Sequence, residues 1–204
     1  MLRTILIGCV LSLGAVSGAL AAPIQWPISA GGNNHYYDFV SAPNIKWTDA
    51  KTAAEKLTFA GVHGYLATVT SAPESSFMAT NFSAEAGPFQ NGWLGGYQDT
   101  AAPDYSEPAG GWRWVSGEPW SYTNWFVSGP VEPDNLNGTQ NYIRSNVDFR
   151  WDDFANDPSN PSLQFVSGYL VEYPVPEPVG WTIPALVGSL LMLRTRRGSL
   201  NSAW

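Results

Sequence analysis

Carboxylates concentrate in two short stretches of the sequence. Glu132 and Asp134 flank a proline in the run Glu-Pro-Asp-Asn, and Asp152 and Asp153 are adjacent further along the chain. Hard divalent cations such as Ca²⁺ take about six to eight oxygen ligands from carboxylates, side-chain amides and backbone carbonyls. A proline turn brings the first two carboxylates together, and a cis bond before Pro133 would hold both toward one point. These residue types predict a site for a hard cation.

Two helices are predicted upstream of these carboxylates. In residues 46–59, apolar side chains recur at helical spacing and polar side chains occupy the opposite face, which indicates an amphipathic helix. Ser71 is followed by Pro73 and then by Glu74, three positions after the serine. This capping box predicts a second helix that runs to about Phe82.

Strands and long loops are predicted elsewhere. Aromatic and apolar residues cluster at 35–40, 65–69 and 167–173, which is typical of strands. After Trp93 glycine, proline, asparagine, aspartate and aromatic residues dominate, which is the composition of long surface loops. Because each tryptophan carries a large apolar area, we expect those of this region to form its packed core. They stand at positions 112, 114, 120, 125 and 151.

Several motifs in order resemble those of C-type lectin domains. The Glu-Pro-Asp loop, followed by a strand and a Trp-Asp-Asp turn, resembles the calcium and sugar site of that family, and the resemblance covers roughly residues 36–173. The motifs that carry it are Trp-Leu-Gly-Gly at 93–96, Gly-Trp-Arg-Trp-Val-Ser-Gly-Glu-Pro at 111–119, Tyr-Thr-Asn-Trp at 122–125, Glu-Pro-Asp-Asn at 132–135 and Trp-Asp-Asp at 151–153.

The resemblance implies a fold and a ligand set. The fold is α+β, with two helices flanking a small antiparallel sheet and a long irregular loop region from about residue 111 to 160. The Ca²⁺ ligands would be Glu132, Asp134, Gln140, Asp152 and Asp153, and the first four of these would also contact the carbohydrate.

Three of these positions depart from the mannose-type pattern of the family. Asp134 and Asp152 stand where asparagines are usual, and Gln140 stands where a glutamate is usual. An ionised carboxylate only accepts hydrogen bonds, so only Gln140 among the five can donate one through its side chain. Glu-Pro-Asp therefore combines the mannose-type and the galactose-type patterns.

The domain has no cysteine with which to form the disulfides of that family. Cys9 is the only cysteine of the chain, and it lies in the N-terminal apolar segment. By resemblance, the long-range pair of the family falls on Ala54 and Val171, where an apolar contact can replace it, and the second pair falls on Tyr142 and about Asn156.

Both ends of the chain carry features of export. Residues 1–22 have an early arginine, an apolar run and an Ala-Leu-Ala ending, which is typical of a secretory signal peptide. Residues 175–204 contain Val-Pro-Glu-Pro, a short apolar run and an arginine cluster, and they resemble the PEP-CTERM sorting signal. That resemblance implies an exosortase-type processing enzyme, transient membrane contact, and delivery to the surface, outer membrane or extracellular matrix of a Gram-negative bacterium. A plain C-terminal anchor is the alternative.

Charge narrows the class of partner for the domain at 23–174. Between residues 23 and 178 the chain has 6 Lys and Arg against 17 Asp and Glu, a net charge of −11. Nucleic acid is bound mainly by cationic surface, so this balance argues against it as a partner. The balance suits a secreted domain that binds a cation.

Two functions fit these observations. The preferred one is an exported, Ca²⁺-dependent carbohydrate-binding or adhesion module whose partner is a glycan or exopolysaccharide. The alternative is a structural matrix protein in which Ca²⁺ orders the loops or is not used. We do not expect an enzyme, because the sequence has no Ser/His/Asp order, cysteine nucleophile or histidine-rich metal motif, and His35 and His63 are better explained as structural.

Overall fold

A computed structural model describes residues 22–84, 91–158 and 166–175. The signal peptide predicted at 1–22 and the sorting signal predicted at 175–204 lie, but for one residue each, outside these ranges. No helix among the described residues is long and apolar enough to cross a membrane.

Two helices and ten strands make up the described part of the chain. The helices are α1 (Trp47–Lys56) and α2 (Ala72–Phe82). The strands are β1 (Ile24–Gln25), β2 (Tyr36–Ser41), β3 (Thr58–Phe59), β4 (Val62–His63), β5 (Tyr65–Leu66), β6 (Gly92–Gln98), β7 (Trp112–Trp114), β8 (Gln140–Ser145), β9 (Trp151–Ala155) and β10 (Gly168–Tyr173).

Local sequence explains where α2 begins and where α1 ends. The hydroxyl of Ser71 accepts a hydrogen bond of 3.3 Å from the backbone N–H of Glu74, as the predicted capping box requires. The helix predicted over 46–59 ends earlier, because Leu57 is extended and the next two residues pair with β4 in a hairpin. The prediction was right in the type and start of α1 and too long at its C-terminus.

The large sheet has the strand order β1-β2-β10-β6-β8-β9, with β5 paired to β10 and β7 paired to β6. Every pairing is antiparallel except that of β10 with β6, which is parallel. The sheet is therefore mixed at one pairing, because the C-terminal strand inserts between β2 and β6. Between 111 and 158 the described helical segments are only short 3₁₀ turns, which agrees with the predicted loop region.

Two apolar clusters form the core on either side of the sheet. One contains the tryptophans of the loop region, which pack around Trp151 with ring centroids 5.3–5.6 Å from Trp114, Trp120 and Trp125. The other contains Trp47 and Trp93 and includes both Ala54 and Val171, each fully buried. Apolar packing therefore occupies the position at which the resembled family has its long-range disulfide.

Candidate metal and ligand site

The loop before β8 is held by its own side chains. Its peptide bond between Glu132 and Pro133 is cis, and Asn135 adopts a left-handed conformation with φ 47°. The backbone N–H of Leu136 donates to a carboxylate oxygen of Asp134 at 2.9 Å. The backbone N–H of Leu136 also lies 2.6 Å from the amide oxygen of Gln140. Side-chain oxygens therefore satisfy the backbone of a turn that has no regular partner strand.

Asp153 ties this loop to β9. Its Oδ1 accepts a hydrogen bond from the backbone N–H of Asp134 at 3.0 Å, and its Oδ2 accepts one from Asn135 at 2.9 Å. The carboxyl group is fully buried, and burial raises its pKa against the opposing effect of the two N–H donors. One buried side chain thus fixes the position of the loop relative to the sheet.

Glu132, Asp134 and Asp153 form what we call the acid cluster. One oxygen from each lies within 4.8 Å of the others. The Oε2 atom of Glu132 is buried and has no hydrogen-bond partner among the residues that the structure describes. Burial and the neighbouring acids Asp152, Asp153 and Asp134 raise the pKa of Glu132 to about 8. An all-oxygen donor set with one unsatisfied buried oxygen fits a hard divalent cation such as Ca²⁺.

Asp152 lies outside the acid cluster, on the other face of β9. Successive side chains of a strand point to opposite faces, and the register of β8 with β9 places Asp152 opposite Arg144. The Nε and Nη2 atoms of Arg144 donate to Oδ2 of Asp152 at 2.9 and 2.5 Å. Burial raises the pKa of Asp152, and the guanidinium opposes that shift. The structure thus brings oxygens of Glu132, Asp134 and Asp153 within reach of one ion and pairs Asp152 with Arg144 in the adjoining pocket.

Asp152 and Arg144, together with part of the loop before β8, line one pocket of about 330 Å³. Of the five predicted site residues, Glu132, Asp134, Gln140 and Asp152 line this pocket, while Asp153 lies behind it and holds the loop. Its lining also includes residues that the sequence reasoning missed: Phe126, Pro130, Leu136, Arg144, Asn146 and Phe154. Arg144 carried a usable signal, because a hairpin centred on 147–149 pairs it with Asp152.

A second group of buried acids lies between α2 and the sheet, and we call it the glutamate network. Oε1 of Glu172 lies 2.6 Å from Nδ1 of His35, and its Oε2 accepts from the backbone N–H and the hydroxyl of Thr68 at 3.0 and 2.9 Å. Glu74 accepts from the Tyr37 hydroxyl at 2.7 Å. The hydrogen bond to Glu172 raises the pKa of His35. His35 thus lies in this network, which agrees with a structural role.

No protein-family model matches the chain. Halomucin of Haloquadratum walsbyi is 30% identical over 154 residues, and the match covers 69% of this chain but 1% of halomucin. Lithostathine of Bos taurus is 26% identical over 155 residues, which covers 70% of this chain and 85% of that protein. The chain thus spans a small part of the first relative and most of the second.

Solved structures of similar fold come from C-type lectins. CEL-I of Cucumaria echinata superposes with a TM-score of 0.52 at 21% identity, covering 70% of this chain and 91% of that one. The cow carbohydrate-recognition domain of CD23, solved in the presence of an oligosaccharide, superposes with a TM-score of 0.52 at 20% identity over 70% of this chain and 90% of that one. The predicted α+β fold of the C-type lectin type is confirmed.

Proposed function

We propose that this C-type lectin-like domain is an exported, Ca²⁺-dependent carbohydrate-binding or adhesion module of a bacterial surface or extracellular matrix. The observation that carries the proposal is the acid cluster at the edge of an open pocket. One oxygen from each of its three carboxylates lies within 4.8 Å of the others, and the cluster includes a buried oxygen that has no partner in the described part of the chain. Native proteins rarely leave such an oxygen unsatisfied, and a cation satisfies it directly.

Glu132, Asp134 and Asp153 would hold the ion, and the oxygens of Gln140 and Asp152 lie beside them in the loop and the pocket. A bound Ca²⁺ supplies positions at which sugar hydroxyls replace water. The protein side chains then orient the sugar by accepting and donating hydrogen bonds around it. Because the pKa of Glu132 is raised to about 8, this carboxyl gives up a proton when the ion binds near neutral pH.

The pocket suits a sugar in size and lining. It measures about 330 Å³ and presents Phe126 and Leu136 as apolar surface next to the acceptors Glu132 and Asp134. Sugars have apolar C–H faces and hydroxyl edges, so a site of this mixed type matches both. The similar CD23 domain was solved in the presence of an oligosaccharide, which supports a glycan as the proposed partner.

Export is proposed from the two ends of the chain. Residues 1–22 would be removed as a signal peptide, residues 23–174 would form the domain, and residues 175–204 would pass through an exosortase-type enzyme with transient membrane contact. The acidic charge of the domain favours cations over nucleic acid. We assign the chain no catalytic role.

A structural matrix protein is the second candidate, and one observation favours it. Both carboxylate oxygens of Asp153 already accept hydrogen bonds from the loop, so the loop is held through protein contacts alone. If these hydrogen bonds already order the loop, a bound ion would order it little further. The two candidates differ in whether sugar binds, because a structural matrix protein uses Ca²⁺ only to order its loops or does not use it.

Titration calorimetry with Ca²⁺ tests the proposal, with Asp153→Asn as the variant that removes a ligand. We expect saturable binding in the wild type and a large loss in the variant. A glycan array read with and without a chelator then tests the sugar. Ca²⁺ binding without glycan binding would leave the structural role, and the absence of both would remove the proposed function.

A further inference from the structure

We infer that Asn137 is a site of spontaneous deamidation, and that the hydrogen bonds which close its turn, chiefly those to Asp153, control the rate. Asn137 is followed by Gly138, and both residues are exposed in the loop between Asp134 and Gln140. The modification itself is independent of the proposed function. Only its response to Ca²⁺ rests on the binding of that ion by the acid cluster.

The reaction needs only the chain and water. The backbone nitrogen of Gly138 attacks the side-chain Cγ of Asn137, gives up its proton to a base, and expels the side-chain nitrogen as ammonia. The succinimide ring that forms takes up one water molecule and opens at either carbonyl, to aspartate or to isoaspartate. A glycine after the asparagine favours the attack, because no side chain crowds its nitrogen. Either product adds one negative charge to the loop beside the acid cluster.

The closed turn does not allow this attack. Asn137 has φ 62° and ψ 10°, the left-handed conformation that asparagine tolerates. At this ψ the Gly138 nitrogen nearly eclipses the Asn137 nitrogen and lies about a third of a turn from Cβ around the Cα–C bond. The Gly138 N–H also donates to the Asn135 carbonyl at 2.8 Å. Ring closure therefore requires the turn to open and the Cα–C bond of Asn137 to rotate.

Asp153 holds the turn against β9. Its two carboxylate oxygens accept hydrogen bonds from the backbone N–H groups of Asp134 and Asn135. Exposed loops open at a low free energy unless such contacts hold them. Weakening the Asp153 acceptor should therefore raise the population of the open turn and the rate of deamidation. Ca²⁺ bound at the acid cluster should lower that rate, because it binds Asp134 and Asp153 together in the closed loop.

A second Asn-Gly pair is an internal control for folding. Asn91, directly before β6, is 1% exposed, and its carbonyl accepts from the Ser167 N–H at 2.8 Å. The N–H of Gly92 donates to the Ser145 hydroxyl at 2.9 Å. Attack at Asn91 therefore requires the sheet to separate. Asn91 should stay unmodified in any variant that remains folded.

Peptide mass spectrometry of the incubated full chain follows both pairs at once. Deamidation exchanges ammonia for water, so the modified peptide is about one dalton heavier. A mildly alkaline buffer is used, because the Gly138 nitrogen must lose its proton. Asn137→Gly suits the left-handed conformation and removes the reactive amide. Asp148→Asn is the matched control for Asp153→Asn, because Asp148 is exposed and its φ of 56° also suits asparagine.

We expect the wild type in chelator to be modified at residue 137 and not at residue 91. Asp153→Asn should be modified about tenfold faster, the effect of weakening one charge-assisted hydrogen bond. Asp148→Asn should match the wild type, and Asn137→Gly should show no change of mass at residue 137. Ca²⁺ at one hundred times its dissociation constant should slow the wild type by up to about a hundredfold.

A synthetic peptide of residues 132–142 is the unstructured reference for the timescale. If that peptide deamidates and residue 137 of the wild type in chelator does not, the inference is overturned. Equal rates in the wild type and Asp153→Asn, with Asn91 intact, would overturn the role of Asp153. If Asn91 is modified too, Asp153→Asn has unfolded, and Gln140→Met, which removes an acceptor of the Leu136 N–H, must show the acceleration instead. An acceleration in the variant without any effect of Ca²⁺ would support the deamidation site and contradict the proposed ion site.

Discussion

Two groups of acids in this protein, each with buried carboxylate oxygens, differ in how those oxygens are hydrogen-bonded. In the glutamate network, both oxygens of Glu172 have partners, supplied by His35 and Thr68. In the acid cluster, the Oε2 atom of Glu132 is buried and has no partner within residues 22–84, 91–158 and 166–175. Both groups contain carboxylates removed from water, yet only one of them is complete within the protein. The difference separates an acid whose oxygens are filled by the fold from an acid with an oxygen that the proposed ion would fill.

The strongest test of the comparison is to remove an acid from the complete group. Glu172→Leu would leave His35 and the Thr68 N–H without their acceptor. We expect the free energy of unfolding to fall by about 3–5 kcal/mol, whether or not Ca²⁺ is present. Urea denaturation measures it, with Glu55→Gln as the control at an exposed ion pair. The control should cost about 0–1 kcal/mol. A loss that Ca²⁺ restores would contradict the structural role of Glu172.

Ca²⁺ bound at the acid cluster should stabilise the folded protein by a smaller amount. At one hundred times its dissociation constant, an ion that binds only the folded protein adds about 2.7 kcal/mol to the free energy of unfolding. Asp153→Asn should remove most of this gain. Thermal denaturation in millimolar Ca²⁺ and in chelator measures both. Equal melting temperatures in the two conditions would mean that the acid cluster holds no ion.

The pH dependence of the metal-free protein sharpens the contrast further. The pKa of Glu132 is about 8 in the folded protein, above its ordinary value of 4.5. The folded state therefore binds the extra proton between these values, and stability falls as pH rises through that range. Glu132 is partly exposed, so after allowing for solvent screening we expect Glu132→Gln to add about 1–2 kcal/mol at pH 9 in chelator.

The same titration should make Ca²⁺ affinity rise with pH up to about 8 in the wild type. Calorimetry in two buffers of different ionisation enthalpy counts the proton released. An affinity that is flat between pH 6 and pH 9 would contradict the raised pKa of Glu132.

The smallest effect concerns His35 in the glutamate network. Its hydrogen bond to Glu172 raises its pKa above 6.5. A raised histidine pKa adds stability that is complete below pH 6.5 and is lost as pH rises through the folded value. The imidazole is partly exposed, so we expect about 1 kcal/mol or less. NMR titration of the His35 ring measures the pKa, and Glu172→Gln should return it toward 6.5.

Local features were predicted well because their causes are local. The capping box placed α2 from Ser71 onward, and the cluster of tryptophans marked the core of the loop region. The early end of α1 has a local cause that helical periodicity does not show, the hairpin of β3 with β4 directly after it, whereas the parallel pairing of β10 with β6 joins strands far apart in the sequence. Tertiary partners of this kind are not written in a window of neighbouring residues.

Only part of the candidate site could be predicted, because its side-chain pairing also depends on contacts between strands. Proline and sequence proximity brought Glu132 and Asp134 together, but adjacent Asp152 and Asp153 were expected to act jointly. Because side chains alternate along β9, Asp152 pairs with Arg144 and Asp153 accepts a hydrogen bond from the loop. A carboxylate count from the sequence cannot show which acids already have a cation beside them.

The packing of Trp151 gives the protein an optical probe of its own site. The backbone N–H of Phe126 donates to the Trp151 carbonyl at 2.8 Å, and that of Glu132 donates to the Phe126 carbonyl at 2.9 Å. Two backbone hydrogen bonds therefore connect Glu132 to Trp151, whose indole packs edge-on or tilted against three others. Closely packed indoles couple their electronic transitions, and that coupling depends on the angles between rings. Near-ultraviolet dichroism and emission from this cluster can follow events at the loop without any attached dye.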